Sequence, residues 1–305
     1  MLRTLRSARV ILGALALWAA AMVAFAAVAP ADAAANPGAA LRERYAQVRD
    51  RLEQSPYGRP LWLDSRELSR ELEGDAYTVV AHPFAKVSGA MVPLAHWCDL
   101  LILPFNTKHC EVAPAGEGGR LAIFVGRKND TPLEKTYRLD FDYALAARSR
   151  DHFRIVLKCG DGPLGTRDYR IVLEATPLDD RRTFVHLRYS YAYGTVSKLA
   201  MQAYLATLGA SKVGFTSTQD GQLVKGMRGV MERNTMRYAL AIEAYLGSVD
   251  APPESRVAKR LNDWYASTQR YPQQLGEDDI DRARYVAIKQ KEYARLASAK
   301  VAAGS

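Results

Sequence analysis

The amino-acid sequence predicts an α+β protein that combines one antiparallel sheet with a long C-terminal helix. From residue 121 to residue 193, apolar side chains occupy odd positions and polar side chains mostly occupy even positions. This alternation is typical of strands with one buried and one solvated face. Short loops rich in Gly, Pro, Asn and Asp separate the segments, which favours hairpins and antiparallel pairing. Residues 223–246 then carry an apolar stripe at helical spacing.

The first thirty-five residues have the features of a secretory signal peptide. Three arginines precede an apolar stretch over residues 10–28, and small residues follow it as a cleavage site. We therefore expect residues 1–35 to be removed and the mature chain to be exported to the periplasm. The alternative is a retained N-terminal membrane anchor, because the apolar stretch is nearly long enough to span a bilayer.

The charge of the chain indicates a generally basic surface. The 305 residues carry a formal net charge of +9, and loss of the leader removes three arginines and one aspartate, which leaves +7. No run of basic residues concentrates this charge, and no nucleic-acid-binding signature is present. An anionic membrane surface is therefore an expected partner, whereas nucleic acid is not.

Export makes the three cysteines informative. In an oxidising compartment, Cys98 and Cys110 can form a disulfide bond that closes a short loop; the alternative is buried thiols. Cys159 follows the apolar phase of its strand and is predicted to be a small core residue. His96 and His109 lie beside the first two cysteines without the paired spacing of zinc sites, so no metal site is expected.

The segment before the sheet is predicted to be mainly helical. A helix over residues 39–54 has its apolar residues on one stripe. Asp64 and Glu67 form a capping-box pattern, which predicts a second, short helix that ends at Gly74. The first strand is then expected over residues 76–81.

Three further helices are predicted around the alternating segments. One begins at Ser88, where Pro93 implies a later start or a kink, and it precedes a second strand near residues 108–112. Another covers residues 197–208, after the last alternating segment. A loop separates it from the long helix over residues 223–246, whose stripe is apolar apart from Asn234.

The C-terminal residues 248–305 are predicted to form a charged helical tail. A Pro-Pro pair at 252–253 precedes two charged helices, over residues 254–269 and 279–299, with thin apolar stripes. These helices are expected to pack back onto the body of the protein or onto a partner.

The order of these elements resembles the START-like (SRPBCC, helix-grip) superfamily. The stretches that carry the resemblance are HPFAKVSGAMVPLAHWCDLL, TFVHLRYSYAYG and GMRGVMERNTMRYALAIEAYL. The resemblance covers residues 61–247, outside the N-terminal helix of 36–60 and the tail. It implies a curved sheet wrapped around the last helix, with a hydrophobic ligand enclosed between them. The residues that it places at the ligand are Phe141, Tyr143, Leu157, Leu173, Tyr189, Tyr191, Tyr193, Met227, Met231, Asn234 and Tyr238.

We therefore predict a periplasmic protein that encloses a lipid, sterol-like or isoprenoid molecule without a cofactor. Tyrosine hydroxyls and Asn234 would bind a polar part of the ligand. A filled core is the simpler interpretation of the same apolar residues. The resemblance also leaves open an enzyme of the cyclase or hydrolase type, although no catalytic residues stand out. An envelope interaction protein that uses its tail helices is the third alternative.

Overall fold

The computed structural model describes residues 36–116, 118–128, 130–206, 211–276 and 280–304, so the predicted signal peptide lies outside the described residues. The strands in these ranges are β1 (Leu61–Glu67), β2 (Glu71–Val80), β3 (Thr107–Ala115), β4 (Gly118–Val125), β5 (Tyr137–Arg148), β6 (Phe153–Asp161), β7 (Thr166–Pro177) and β8 (Thr183–Tyr193). The helices are α1 (Pro37–Glu53), α2 (Phe84–Met91), α3 (Trp97–Leu101), α4 (Thr195–Ala206), α5 (Gly226–Ser248), α6 (Pro253–Gln269), α7 (Pro272–Leu275) and α8 (Arg282–Gly304).

The eight strands form one curved antiparallel sheet in the order β1-β2-β8-β7-β6-β5-β4-β3. Strands β3 to β8 form a meander, in which each strand pairs with the next one along the chain. The β2–β8 pair joins the first hairpin to the last strand. Odd positions such as Phe141, Leu157 and Leu173 are buried, whereas Lys158 and Arg170 between them are exposed. The predicted fold class and the predicted alternation are therefore confirmed.

The predicted short helix over residues 64–74 is wrong, because this segment forms the β1–β2 hairpin. Leu61, Leu63 and Ser65 alternate into the protein interior, and β1 pairs along its length with β2. The side chain of Asp64 accepts a hydrogen bond from the backbone N–H of the next residue and does not cap a helix. The capping pattern is a local signal, and pairing with a neighbouring strand outweighed it.

Gly74, expected at the end of a helix, lies in the middle of β2 where α5 crosses the sheet. A Cβ atom at this position would lie 2.3 Å from Thr235 Oγ1 and 3.0 Å from Met231 Cγ. Glycine therefore permits the close approach of the long helix to the strand.

The long helix lies across the inner face of the sheet against β1, β2 and β8. It begins at Gly226, three residues after the predicted start. Leu223 is instead extended and forms a bridge with Ser217. Gly226 has a φ of +65°, in the left-handed region, so the chain turns there before it enters the helix.

The segment between β2 and β3 covers the inner face beside α5. Its helix begins at Phe84 and not at Ser88, and it breaks at Pro93 as the sequence indicated. The structure contains a disulfide bond between Cys98 of α3 and Cys110 of β3, whose Cα atoms are 5.4 Å apart. Cys159 is buried and forms no disulfide bond.

Helices also cover the outer face and one flank of the sheet. The apolar stripe of α1 packs on the outer face against Tyr77 and Phe184. The tail helices pack onto the body, α6 against α5 and α8 against β3. Lys289 of α8 is fully buried and donates hydrogen bonds to the carbonyls of Pro104 and Thr107. Among the described residues, none of the helices combines the length and hydropathy needed to cross a membrane.

Candidate ligand-binding cavity

A cavity of about 380 Å³ lies at one end of the space between the sheet and α5. It is bounded by the β6–β7 hairpin, by strands β7 and β8, and by helices α4 and α5. Most of its surface is apolar or aromatic. The residues that line it are Pro163, Leu164, Thr166, Tyr169, Tyr189, Tyr191, Ser197, Ala200, Met201, Val230 and Asn234.

Three tyrosines from two paired strands form the sheet side of the cavity. Tyr189 and Tyr191 are two residues apart in β8, so they share the inner face, and Tyr169 follows on β7. The rings of Tyr169 and Tyr191 are stacked with centroids 5.2 Å apart. The ring of Tyr189 lies 5.8 Å from that of Tyr191 and meets the ring of Tyr238 edge-on at 5.5 Å.

The hydroxyl groups of these tyrosines differ in their partners. The hydroxyl of Tyr169 donates a hydrogen bond to Thr166 Oγ1 at 2.7 Å. Tyr189 and Tyr191 are buried, and no hydrogen bond joins either hydroxyl to another described residue. Burial raises the pKa of both phenols, and neighbouring tyrosines add to the effect. Both groups therefore remain neutral hydrogen-bond donors at physiological pH.

Val230 and Asn234 form the helix side of the cavity. They are four residues apart in α5, so they lie one above the other on the same helix face. Arg237 donates a hydrogen bond to Asn234 Oδ1 at 3.2 Å. Because a guanidinium can only donate, this bond assigns the carbonyl oxygen to the Arg237 side. The amide nitrogen of Asn234 keeps two N–H donors for a ligand.

The cavity reaches the protein surface at the β6–β7 hairpin. Leu164 at its tip is 65% exposed and has a φ of 59°, which is unusual for a residue other than glycine. Ser197 at the start of α4 donates a hydrogen bond to the Leu164 carbonyl at 2.8 Å. This contact joins the hairpin to α4, and the two segments together form the rim.

Five large apolar side chains that are exposed in the described part of the chain lie at this same end of the sheet. The turn between β1 and β2, the start of β5, the β6–β7 hairpin and the end of β8 meet there, as the antiparallel registers require. We call this surface the apolar end, and it consists of Leu68, Tyr137, Leu164, Val196 and Leu199.

Three of the residues that the sequence assigned to the ligand line this cavity, namely Tyr189, Tyr191 and Asn234. Phe141 and Tyr238 lie behind them, each with its ring against a lining tyrosine. The other six lie elsewhere in the buried core: Tyr143, Leu157, Leu173, Tyr193, Met227 and Met231. Most of the space between sheet and helix is therefore filled by side chains, and the cavity occupies one end of it.

Sequence reasoning missed the residues on α4 and the hairpin that complete the cavity. Tyr169 was recognised as an inward-facing strand residue, and its position beside Tyr191 follows from the β7–β8 pairing. Val230 belongs to residues 223–246, for which the sequence predicts an apolar helical stripe. The positions of Ala200, Met201 and Leu164 at the cavity could not be predicted, because the local sequence pattern does not show where α4 packs against the β6–β7 hairpin.

A separate cavity of about 350 Å³ near the C-terminal end of α5 includes His96. Its charged groups are paired with one another or with the backbone. His96 Nδ1 lies 2.9 Å from the Ala90 carbonyl, and Arg260 forms an ion pair with Asp99 at 3.4 Å. Within the described ranges, no cluster of three or more His, Cys, Asp or Glu side chains could hold a metal ion.

The chain has a helix-grip fold, defined by the strand order and by the long helix that crosses the inner face of the curved sheet. No family model matches the chain, and no curated protein matches it either.

Several solved structures resemble it at low identity. Norcoclaurine synthase from Thalictrum flavum is 15% identical, with 48% of this chain and 91% of that chain covered and a TM-score of 0.33. Human StAR-related lipid transfer protein 5 is 8% identical, with coverages of 69% and 97% and a TM-score of 0.36. Zhui aromatase/cyclase from Streptomyces sp. R1128 is 14% identical, with coverages of 66% and 94% and a TM-score of 0.33. These similarities concern the fold alone.

Proposed function

We propose that the protein binds a hydrophobic molecule in the tyrosine-lined cavity and carries it through the periplasm. The observation that supports this most is the pair Tyr189 and Tyr191, which line an apolar cavity and whose hydroxyls have no hydrogen-bond partner among the described residues. Neither hydroxyl bonds to a described residue, so each can donate a hydrogen bond to a polar group of a ligand. Apolar walls with a few polar groups are the usual chemistry of such sites.

The size of the cavity limits what it can hold. Its volume of about 380 Å³ is near the lower end of the range of ligand sites, roughly 300–1,000 Å³. An engineered cavity of about 150 Å³ is enough for benzene. The ligand is thus a ring system or one branched or linear chain, and burial of its apolar surface provides the affinity.

Two features of the chain support a periplasmic location. The N-terminal sequence has the pattern of a secretory leader. The disulfide bond between Cys98 and Cys110 is a cross-link that persists in oxidising compartments and is rare in the cytosol.

The apolar end supports a membrane as the partner with which the ligand is exchanged. It is continuous with the rim of the cavity, because Leu164 belongs to both. A bilayer that contacts the apolar end would cover these side chains and meet the cavity opening.

Native mass spectrometry of the mature protein purified from its own envelope tests ligand binding, followed by solvent extraction and lipid analysis. We expect a stoichiometric hydrophobic molecule. Ala200→Trp should abolish its retention, because Ala200 lines the cavity. Ala203→Trp is the matched control, since Ala203 is exposed on the same helix and does not line the cavity. Wild-type protein that carries no lipid and binds no added hydrophobic probe would contradict the proposal.

Transfer of a pyrene-labelled fatty acid between vesicles of phosphatidylcholine and phosphatidylglycerol tests the membrane contact. The variant Val196→Ser/Leu199→Ser should slow transfer several-fold and leave binding of the probe in solution unchanged, because neither residue lines the cavity. Ala203→Ser on the same helix should have no effect. Equal transfer rates for both variants would exclude the apolar end as the contact.

A further inference from the structure

We infer that the ligand is an uncharged molecule whose polar group is a carbonyl oxygen, and that this group enters the cavity first. The carbonyl group lies at the inner end of the cavity, beside Tyr189 and Asn234, and the apolar remainder of the molecule extends to the rim. This inference rests on the proposed function, because it concerns the ligand of the same tyrosine-lined cavity.

The lining of the cavity has no charged side chain among the described residues. An ionised group that leaves water for such a site keeps a large desolvation penalty, because no opposite charge compensates it. The carboxylate of Glu67 lies near the sheet side of the cavity, where it accepts a hydrogen bond from the Tyr193 hydroxyl at 2.9 Å. Burial, the neighbouring tyrosines and Glu67 all raise the pKa of Tyr191. This environment disfavours an anion in particular and favours an uncharged ligand.

The hydroxyl groups at the rim of the cavity are used within the protein. Ser197 Oγ donates a hydrogen bond to the Leu164 carbonyl at 2.8 Å. Thr166 Oγ1 donates to the Pro163 carbonyl at 2.6 Å and accepts the hydrogen bond from Tyr169. Each of these hydroxyls has a single hydrogen to donate, so the described side chains of the rim present mainly apolar surface to a ligand.

The groups that can donate to a ligand lie farther inside. In the β7–β8 pairing, Tyr193 lies next to the β6–β7 hairpin, and Tyr189 lies four residues farther along β8, about 13 Å away. The ring of Tyr189 meets the ring of Tyr238 edge-on at 5.5 Å. Asn234 precedes Tyr238 by one turn of α5 on the same helix face, which places Asn234 close to Tyr189.

A carbonyl oxygen matches these inner donors. It has two lone pairs, so it can accept hydrogen bonds from the Tyr189 hydroxyl and the Asn234 amide together. These bonds replace the ones that the oxygen loses when it leaves water. In the reverse orientation, the apolar chain would cover the inner donors and exclude water from them, which costs free energy because their hydrogen bonds are not replaced. The lining therefore sets both the polar group of the ligand and its direction.

Calorimetric titration of the mature protein with decan-2-one, decanoate and decylammonium tests the charge of the ligand, because the three probes have the same number of carbon atoms. We expect decan-2-one to bind about tenfold tighter or more than either ion. Equal affinities, or tighter binding of an ion, overturn the inference but preserve the proposed function. Failure of all three probes to bind overturns the proposed function itself.

The pH dependence of the same titrations provides an internal check. The affinity for decanoate should rise as the pH falls toward the pKa of its carboxyl group, because the neutral acid is the form that binds. The affinity for decan-2-one should stay constant over the same range. A fatty acid can therefore serve as a transfer probe, since it binds in its neutral form. An affinity for decanoate that does not change with pH would contradict the uncharged ligand.

Decan-2-one and decan-5-one test the orientation, because these isomers differ only in the position of the carbonyl group. The carbonyl of decan-2-one lies near one end and can reach the inner donors while the chain extends to the rim. In decan-5-one an alkyl arm on each side keeps the carbonyl away from the inner end. We expect decan-2-one to bind about two- to tenfold tighter, and equal affinities would overturn the orientation.

Two tyrosine variants assign this preference to the inner end of the cavity. Tyr189→Phe should weaken decan-2-one about two- to tenfold and bring its affinity close to that of decan-5-one. Tyr143→Phe is the control and should keep the wild-type ratio, because its hydroxyl bonds to the Val92 carbonyl and Tyr143 does not line the cavity. A variant that only loses stability leaves the ratio of the two affinities unchanged. A wild-type ratio in Tyr189→Phe would therefore overturn the inference.

Discussion

Removal of the tyrosine hydroxyls separates a ligand-binding role from a structural one. In Tyr189→Phe/Tyr191→Phe, each ring stays in place and only a hydroxyl without a partner among the described residues is lost. Tyr143→Phe is the matched control on the same face of the sheet. Its hydroxyl donates a hydrogen bond to the Val92 carbonyl, and Tyr143 lies outside the lining of the cavity.

The structure predicts that one variant loses stability and the other loses ligand affinity. A protein hydrogen bond contributes about 1 kcal/mol net, so Tyr143→Phe should lower the free energy of unfolding by about 1 kcal/mol, or roughly 2–4 °C in Tm. Tyr189→Phe/Tyr191→Phe removes no internal hydrogen bond and should change that free energy by less than about 0.5 kcal/mol. Each lost hydroxyl should instead weaken a hydrogen-bonding ligand by about two- to tenfold.

Thermal denaturation and calorimetric titration with decanol measure both quantities on the same samples. Decanol carries a hydroxyl that can pair with the phenols. The reasoning is refuted if Tyr189→Phe/Tyr191→Phe is destabilised as much as Tyr143→Phe while its affinity for decanol is unchanged. That result would mean that the hydroxyls serve the fold.

Three further predictions concern the stability of the fold. Gly74→Ala should lower the free energy of unfolding by about 1–3 kcal/mol, and Thr235→Ala should recover part of this in a double-mutant cycle, because the new Cβ would lie 2.3 Å from Thr235 Oγ1. Burial lowers the pKa of Lys289 to about 7, so above that pH the unfolded chain binds more protons than the folded chain. The free energy of unfolding should therefore rise by up to about 1.4 kcal/mol per pH unit from pH 7 toward 10.5. Urea titrations of Lys289→Met should lack this increment. Reduction of the Cys98–Cys110 disulfide should lower the free energy of unfolding by about 3 kcal/mol in the chain-entropy model, and Tm should fall with it. The Tm of Cys98→Ala/Cys110→Ala should not respond to reductant.

Much of the fold could be predicted because its signals are local. The strand alternation from residue 121 to residue 193 decides which side chains face the core, and the structure buries nearly all of those positions. Tyr137 is an exception at 45% exposed, because it begins β5 at the open end of the sheet. The apolar stripe of α5 was also predicted from the sequence, although the helix begins three residues after the predicted start.

The errors arose where a local signal competed with a distant contact. Asp64 and Glu67 suit a helix N-terminus, but Leu61 and Leu63 are fully buried as part of an edge strand, and that burial is favourable. Gly74 resembled a helix stop, although its absent side chain makes room for α5. Neither partner can be inferred from the residues that flank these positions.

The features of the cavity can be separated in the same way into those set by local sequence and those set by distant contacts. The sequence by itself determined that Tyr189 and Tyr191 face inward from one strand and that Asn234 interrupts an apolar helix face, since strand and helix periods follow from backbone geometry. Only the tertiary structure decided that the deep interior is filled while one end stays open. That outcome depends on how side chains from α4, α5 and the β6–β7 hairpin fill a shared volume, and no single segment contains that information.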